Sequence, residues 1–123
     1  PTFAIYIFKK VLEWVESLGG VAALAKRNQE KADLLYGAID GSGEYYRGTV
    51  ADPASRSWMN VTFRLPSEDL EQKFIADGLA AGFIGLKGHR SAGGIRVSMY
   101  NAVSPDQIRK FVGFMGEFKK SNG

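Results

Sequence analysis

The nine residues Ser57 to Leu65, SWMNVTFRL, put Met59, Val61, Phe63 and Leu65 on one side of an extended chain and Asn60, Thr62 and Arg64 on the other. A period of two is the pattern of a strand with one face in a core and one in water, and it predicts a strand over 57–65. Downstream, Pro66 and Ser67 start a helix, with Glu68 and Asp69 in the first turn, where negative charge complements the helix dipole. Leu70, Phe74 and Leu79 form its apolar stripe, and Gly82 ends it. After the short run FIGLK (83–87) and a glycine-rich loop comes GIRVSMYN (94–101), in which Ile95, Val97 and Met99 alternate with Arg96, Ser98 and Tyr100. This predicts another strand, with Arg96 on the face opposite the apolar one. Ser104 as N-cap, Pro105 at the first helical position and Gln107 completing a capping box open the last helix. Its stripe is Ile108, Phe111, Val112, Met115 and Phe118.

Upstream, Val21, Leu24, Ala25, Asn28, Ala32, Leu35 and Ile39 recur at helical spacing until the turn-rich DGSGEYYRG (40–48), with a further short strand near Tyr45 and Tyr46. Before that, Ile7, Val11, Trp14, Val15 and Leu18 mark a helix over 3–18, ended by Gly19 and Gly20. The order is helix, helix, strand, helix, strand, strand, helix. It predicts an α+β fold: a small, mainly antiparallel sheet with helices packed on one face. The first helix is unusual, because Phe3, Ile5, Tyr6 and Phe8 give it apolar surface on more than one side. Residues 3 to 18 are expected to be exposed in the isolated chain, or paired with something outside it.

At 123 residues, with 45% hydrophobic and 24% charged side chains, the chain fits one soluble globular domain. The absence of cysteine excludes disulfides and thiolate metal sites, and one histidine cannot build a His-rich site. Lys9, Lys10 and Glu13 interrupt the apolar opening well short of the roughly 20 residues a membrane span needs. The charges follow the apolar run instead of preceding it, unlike a signal peptide, so a cytoplasmic location and no membrane partner are expected. Sixteen cations against 13 anions is a weak excess for a nucleic-acid binder. Tyr45, Tyr46 and Arg47 could stack on a base, but no second aromatic and basic cluster supports them, and no nucleic-acid partner is expected. Lys26, Arg27, Glu30, Lys31 and Asp33 read as a solvated helix face, and Glu117, Lys119 and Lys120 as a fraying C-terminus.

Chemistry concentrates in GLKGHRSAGGIRVSMYN (85–101), where Lys87, His89, Arg90 and Arg96 lie among four glycines and no Asp or Glu occurs between Asp77 and Asp106. No metal is implied, and no G-x-S-x-G elbow, P-loop or H-E-x-x-H motif is present. Arg90 and Arg96 each present a planar fork that can hold a carboxylate or phosphate. Neighbouring glycines would let an anion approach the backbone. The same residues are compatible with a Gly-Gly turn between two strands, solvated arginines and a loop histidine that a cationic neighbour keeps neutral. Residue pattern alone leaves both open.

The segment LKGHRSAGGIRVSMYNA (86–102) resembles the C-terminal signature of the phosphoserine aminotransferase family, pyridoxal-phosphate enzymes of serine biosynthesis. PTFAIY (1–6), GGVAALAKRNQEKADLLYGAID (19–40) and SRSWMNVTFRL (55–65) resemble the last third of that family in order and spacing. The resemblance implies the small C-terminal domain of a fold-type-I aminotransferase at 19–123, preceded by an interdomain helix segment at 1–18. It implies a homodimer with active sites at the subunit interface, moving an amino group between phosphoserine and 2-oxoglutarate. By the same resemblance Arg96 holds the substrate α-carboxylate, while His89 and Arg90 bind its phosphate or distal carboxylate across that interface. Ile95, Val97 and Met99 depart from the family pattern only on the strand's other face. No lysine here, Lys87 included, matches the one that forms the Schiff base, which the family supplies upstream with an Asn-Thr pair that reaches the neighbour's cofactor phosphate. The catalytic lysine is therefore expected outside this chain, no pyridoxal phosphate is expected on the fragment, and the fragment is expected to be inactive alone. The competing readings are a non-enzymatic anion-binding or regulatory module built on the same loop, or a related aminotransferase with another substrate.

Overall fold

A computed structural model describes all 123 residues. Two helices, α1 (Thr2–Ser17) and α2 (Gly20–Asp40), precede a short strand β1 (Arg47–Gly48) and the strand β2 (Asn60–Arg64). Helix α3 (Glu68–Ala80), strand β3 (Ile95–Ser98) and helix α4 (Pro105–Asn122) complete the chain. The sheet runs β1-β2-β3, antiparallel throughout, with Val61 opposite Val97 and Thr62 opposite Arg96. It is an α+β domain, as the pattern predicts.

The alternation in β2 and β3 sorts their side chains as expected. Val61, Phe63, Leu65, Ile95, Val97 and Met99 are buried against Leu35 and Ile39 of α2, Phe74 of α3, and Phe111, Met115 and Phe118 of α4. Phe74 sits at the centre of an aromatic cluster, with the rings of Phe114 and Phe118 both 5.0 Å away and Tyr46 and Phe63 at 5.9 Å. Such edge-to-face and tilted pairs add about 0.5–1.5 kcal/mol each beyond the area they bury.

The caps follow the sequence. Ser67 accepts from the Leu70 N–H, and Ser104 and Gln107 form a reciprocal capping box.

Several boundaries differ from expectation. The second strand begins at Asn60, not Ser57, because the Ser57 hydroxyl accepts from the N–H groups of Met59 and Asn60 and folds those residues into a turn. The strand near the tyrosines falls one step later, at Arg47–Gly48. Ser42 Oγ captures the Tyr46 N–H, and Tyr46 itself is buried with its hydroxyl on the Met115 carbonyl. The run 83–87 contributes only an isolated bridge, Lys87 to Ile95, instead of a strand. Leu79 is exposed, and the buried positions of α3 are Glu71, Phe74 and Gly78.

The C-terminus is not frayed. Helix α4 continues to Asn122, and Lys119 Nζ reaches back to the Ser42 carbonyl at 2.6 Å. In α2, Val21 and Ala25 are exposed. Lys31 does not lie on a solvated face: it is fully buried, with Nζ donating to the carbonyls of Met99 and Tyr100 at 2.9 and 2.8 Å. Its position between Asn28 and Leu35 places it on the core stripe, where an ammonium is tolerated only when bonded.

Helix α1 buries no residue. Phe3, Ile5 and Phe8 are each more than 60% exposed, and Ile7, Val11, Leu12 and Trp14 on the side nearer the rest of the chain still show between 36% and 47% of their surface. No helix is long and apolar enough to cross a membrane.

Candidate functional site

Directly opposed residues of an antiparallel pair share a face. The register therefore puts Arg47, Asn60, Thr62, Arg64, Arg96 and Ser98 together on the sheet face away from the helices. Most of these groups satisfy one another. Ser98 Oγ and Tyr100 OH both donate to Asn60 Oδ1, and the hydroxyls of Thr49 and Thr62 are hydrogen-bonded. Arg96 is the exception. Its backbone N–H donates to the Leu86 carbonyl at 2.8 Å, but its Nε is buried without a hydrogen-bond partner and no carboxylate pairs with it. A buried, unpaired guanidinium donor is costly unless an anion supplies the acceptor.

The loop before β3 is a hairpin return, as the Gly-Gly pattern suggests. Gly88 N–H donates to the Gly94 carbonyl, and the His89 carbonyl accepts from the N–H groups of Ala92 and Gly93. The Ser91 N–H points at His89 Nδ1 and the Ser91 hydroxyl lies 2.7 Å from it, an arrangement that leaves Nε2 free to carry the ring proton outward. Arg90 is exposed with no side-chain partner.

Two of the glycines are required by the loop's own packing. A Cβ on Gly88 would fall 2.0 Å from the Gly93 carbonyl oxygen. At Gly94, with φ +70°, it would meet Arg64 Cδ at 2.6 Å and the Phe63 carbonyl oxygen at 2.8 Å.

Lys87, His89 and Arg90 line one cleft of about 270 Å³ together with Arg64, Glu68 and Glu71. The cations that lack acids in sequence therefore have two in space, brought by the first turn of α3. Glu71 is already engaged: its buried carboxylate accepts from Arg64 Nε at 2.6 Å and from the Leu65 N–H at 3.2 Å. Arg96 lines a different cleft of about 380 Å³ with Phe83, Ile84, Gln107 and Phe111. The three expected site residues thus fall into two places, His89 with Arg90 and Arg96 apart.

Sequence reasoning passed over Arg64 and Glu71. The usable signal was that alternation sets Arg64 on the same face as Arg96. Neither cleft offers a cofactor ring both a lysine and an aromatic wall. Lys87 faces a charged cleft that holds no Phe, Tyr or Trp, and Lys31 is committed to carbonyls. Tyr45 and Tyr46 are buried and cannot stack on a base.

Residues 1–111 match the class-V aminotransferase family. The chain is 54% identical over 120 residues to the phosphoserine aminotransferase of Geobacillus kaustophilus, covering 98% of this chain and 33% of that relative. The phosphoserine aminotransferase structure from Bacillus circulans subsp. alkalophilus superposes with a TM-score of 0.96 at 51% identity, over 100% of this chain and 34% of that one. A PLP-bound phosphoserine aminotransferase from Trichomonas vaginalis superposes with a TM-score of 0.83 at 37% identity, over 94% of this chain and 33% of that one. The chain spans about a third of the length of the curated relatives it matches.

Proposed function

Because this chain belongs to the class-V aminotransferase family, we propose that it is the substrate-clamping C-terminal portion of a phosphoserine aminotransferase, a cytoplasmic homodimer that exchanges an amino group between phosphoserine and 2-oxoglutarate. The observation that carries this is Arg96, an arginine on the open face of the sheet whose buried Nε has no partner within the chain. We assign it the α-carboxylate that both amino donor and acceptor possess, which a planar fork matches with two parallel bonds. His89 and Arg90 take the phosphate or distal carboxylate. They line a cleft other than the one beside Arg96, which suits a role across a dimer interface.

Residues 19–123 form the domain that carries these groups. Residues 1–18 are the link towards the remaining two thirds of the protein, which accounts for the bare apolar surface of α1. Pyridoxal phosphate supplies the electron sink for the transfer. The residues here do not fit that cofactor, so its lysine is assigned to the part of the protein outside this chain.

The test is kinetic and uses the full-length protein with its cofactor. Arg96→Ala is expected to lower the specificity constant for phosphoserine and for glutamate alike, since truncating one partner of a buried charged pair costs about 2–5 kcal/mol. Unchanged constants for both would remove Arg96 from the site. For the isolated chain, addition of pyridoxal phosphate and then borohydride should label no lysine stoichiometrically.

A further inference from the structure

We propose that Arg64, anchored by Glu71, is a positioning residue for the anion-binding loop, holding His89 and Arg90 where they grip the phosphate and thereby setting affinity for the phosphorylated substrate. This rests on the assignment of phosphate to that loop.

Arg64 ends β2, and the register that pairs Phe63 with Ile95 brings Gly94 opposite it. With no side chain there, Arg64 lies flat across the root of the loop, its Cδ and Nε packed over Gly94 and its guanidinium beside Gly93. Nε donates to Glu71 at 2.6 Å, and Nη1 donates to the Ala92 carbonyl at 3.3 Å. That second bond is the one side-chain hydrogen bond reaching residues 88–94 from outside the loop. It lands within the turn that closes on the His89 carbonyl.

Glu71 is itself fixed. Its side chain is 5% exposed, and the oxygen that receives Arg64 also accepts the Leu65 N–H. The rigid line therefore runs from the α3 first turn and the β2 backbone through Glu71 and Arg64 to Ala92. A second consequence is electrostatic. Glu71 lines the same cleft as His89 and Arg90, and with Arg64 removed its buried carboxylate would oppose any anion entering there. Both effects act on the anion's affinity and leave the transferred amino group untouched.

The experiment uses the full-length protein reconstituted with pyridoxal phosphate, and inorganic phosphate as a competitive inhibitor. Arg64→Met is expected to raise the KM for phosphoserine and the inhibition constant of phosphate by roughly tenfold to a hundredfold, the scale of a displaced positioning group. The kcat at saturation should stay near that of the parent. Arg64→Lys restores a charge on Glu71 but cannot also reach Ala92, so it should recover only part of the loss. A merely structural role would lower Tm and the active fraction without moving the phosphate inhibition constant. If Arg90→Ala weakens phosphate binding while Arg64→Met does not, the inference is overturned and the loop assignment stands. If His89→Ala and Arg90→Ala both leave phosphate inhibition unchanged, the loop assignment falls and the inference with it. Should Arg64→Met not fold, Arg64→Lys decides: full retention of phosphate affinity refutes the bridge to Ala92, and a partial loss supports it.

Discussion

Replacing Lys31 with methionine tests whether helix α2 is clamped to the end of β3 by a single buried ammonium. The side chain has 0% relative exposure, and its Nζ bonds two successive carbonyls, Met99 and Tyr100. Methionine of similar length removes both bonds and leaves the carbonyls without that donor, at about 1–3 kcal/mol each. It also removes the cost of holding a charge out of water, which offsets part of that loss. The expected balance is a destabilisation of about 2–4 kcal/mol, on the order of 10 °C in Tm for a domain of this size.

The pH dependence has a definite sign. Burial pushes the Lys31 pKa down, and the nearby Arg27 charge adds to the shift. The unfolded chain therefore binds more protons than the folded one between the lowered native pKa and the ordinary lysine value of about 10.4, and stability rises with pH across that window. Lys31→Met lacks this gain, so the gap between parent and variant should widen as urea titrations followed by circular dichroism move from about pH 7 towards pH 10. A gap that narrows would show that the folded state favours the charged amine, contrary to the desolvation argument. A neutral substitution would show that the two carbonyls do not depend on Lys31.

Two further outcomes follow from local geometry. Gly94→Ala combines a left-handed φ of +70° with a Cβ 2.8 Å from the Phe63 carbonyl oxygen, and should lower stability by about 2 kcal/mol or more; an unchanged urea midpoint would contradict the close packing of loop on strand. Asp40 is held below the usual carboxylate range, mainly by hydrogen bonds from Arg56, whose guanidinium also lies 4.6 Å over the Tyr36 ring. Its contribution is present above the unfolded carboxylate pKa and disappears as pH falls through the native one. Because the Asp40 side chain is 53% exposed, the pair is worth no more than about 1 kcal/mol. Arg56→Ala should flatten the acid limb of a stability-versus-pH curve, and an identical limb would count against the pair.

Patterning made the core legible, because β2, β3 and the capped helix α4 obey the periods of two and 3.6 that burial imposes. It failed where a side chain redirects the backbone, as Ser57 and Ser42 do by taking N–H groups that a longer strand would have used. It failed again at Lys31, where residue type outweighed position. The stripe through Leu24, Asn28, Leu35 and Ile39 passes through residue 31, and a long amine can end on carbonyls inside a core. At the site, His89, Arg90 and Arg96 could be singled out by type and by the acid-free run around them. That Glu68 and Glu71 share a cleft with two of them could not, since the proximity comes from the first turn of α3 folding back onto the end of β2.

Three arginines occupy the open face of the sheet, and they differ in whether their own chain supplies a partner. Arg47 Nη2 donates to the Leu65 carbonyl, and Arg64 is divided between Glu71 and Ala92, so both are bound to their own chain. Arg96 has the same type of side chain on the same face, with Thr62 as its cross-strand neighbour, yet its buried Nε finds no acceptor. Ile95 and Val97 on either side are buried in the core, which fixes the backbone from which Arg96 projects. An Nε already out of water and without an internal partner would gain an acceptor from an incoming carboxylate, in line with the proposed assignment. On the proposed assignment the absence of an internal acid suits Arg96, whereas at His89 and Arg90 one of the two nearby acids, Glu71, is tied up by Arg64.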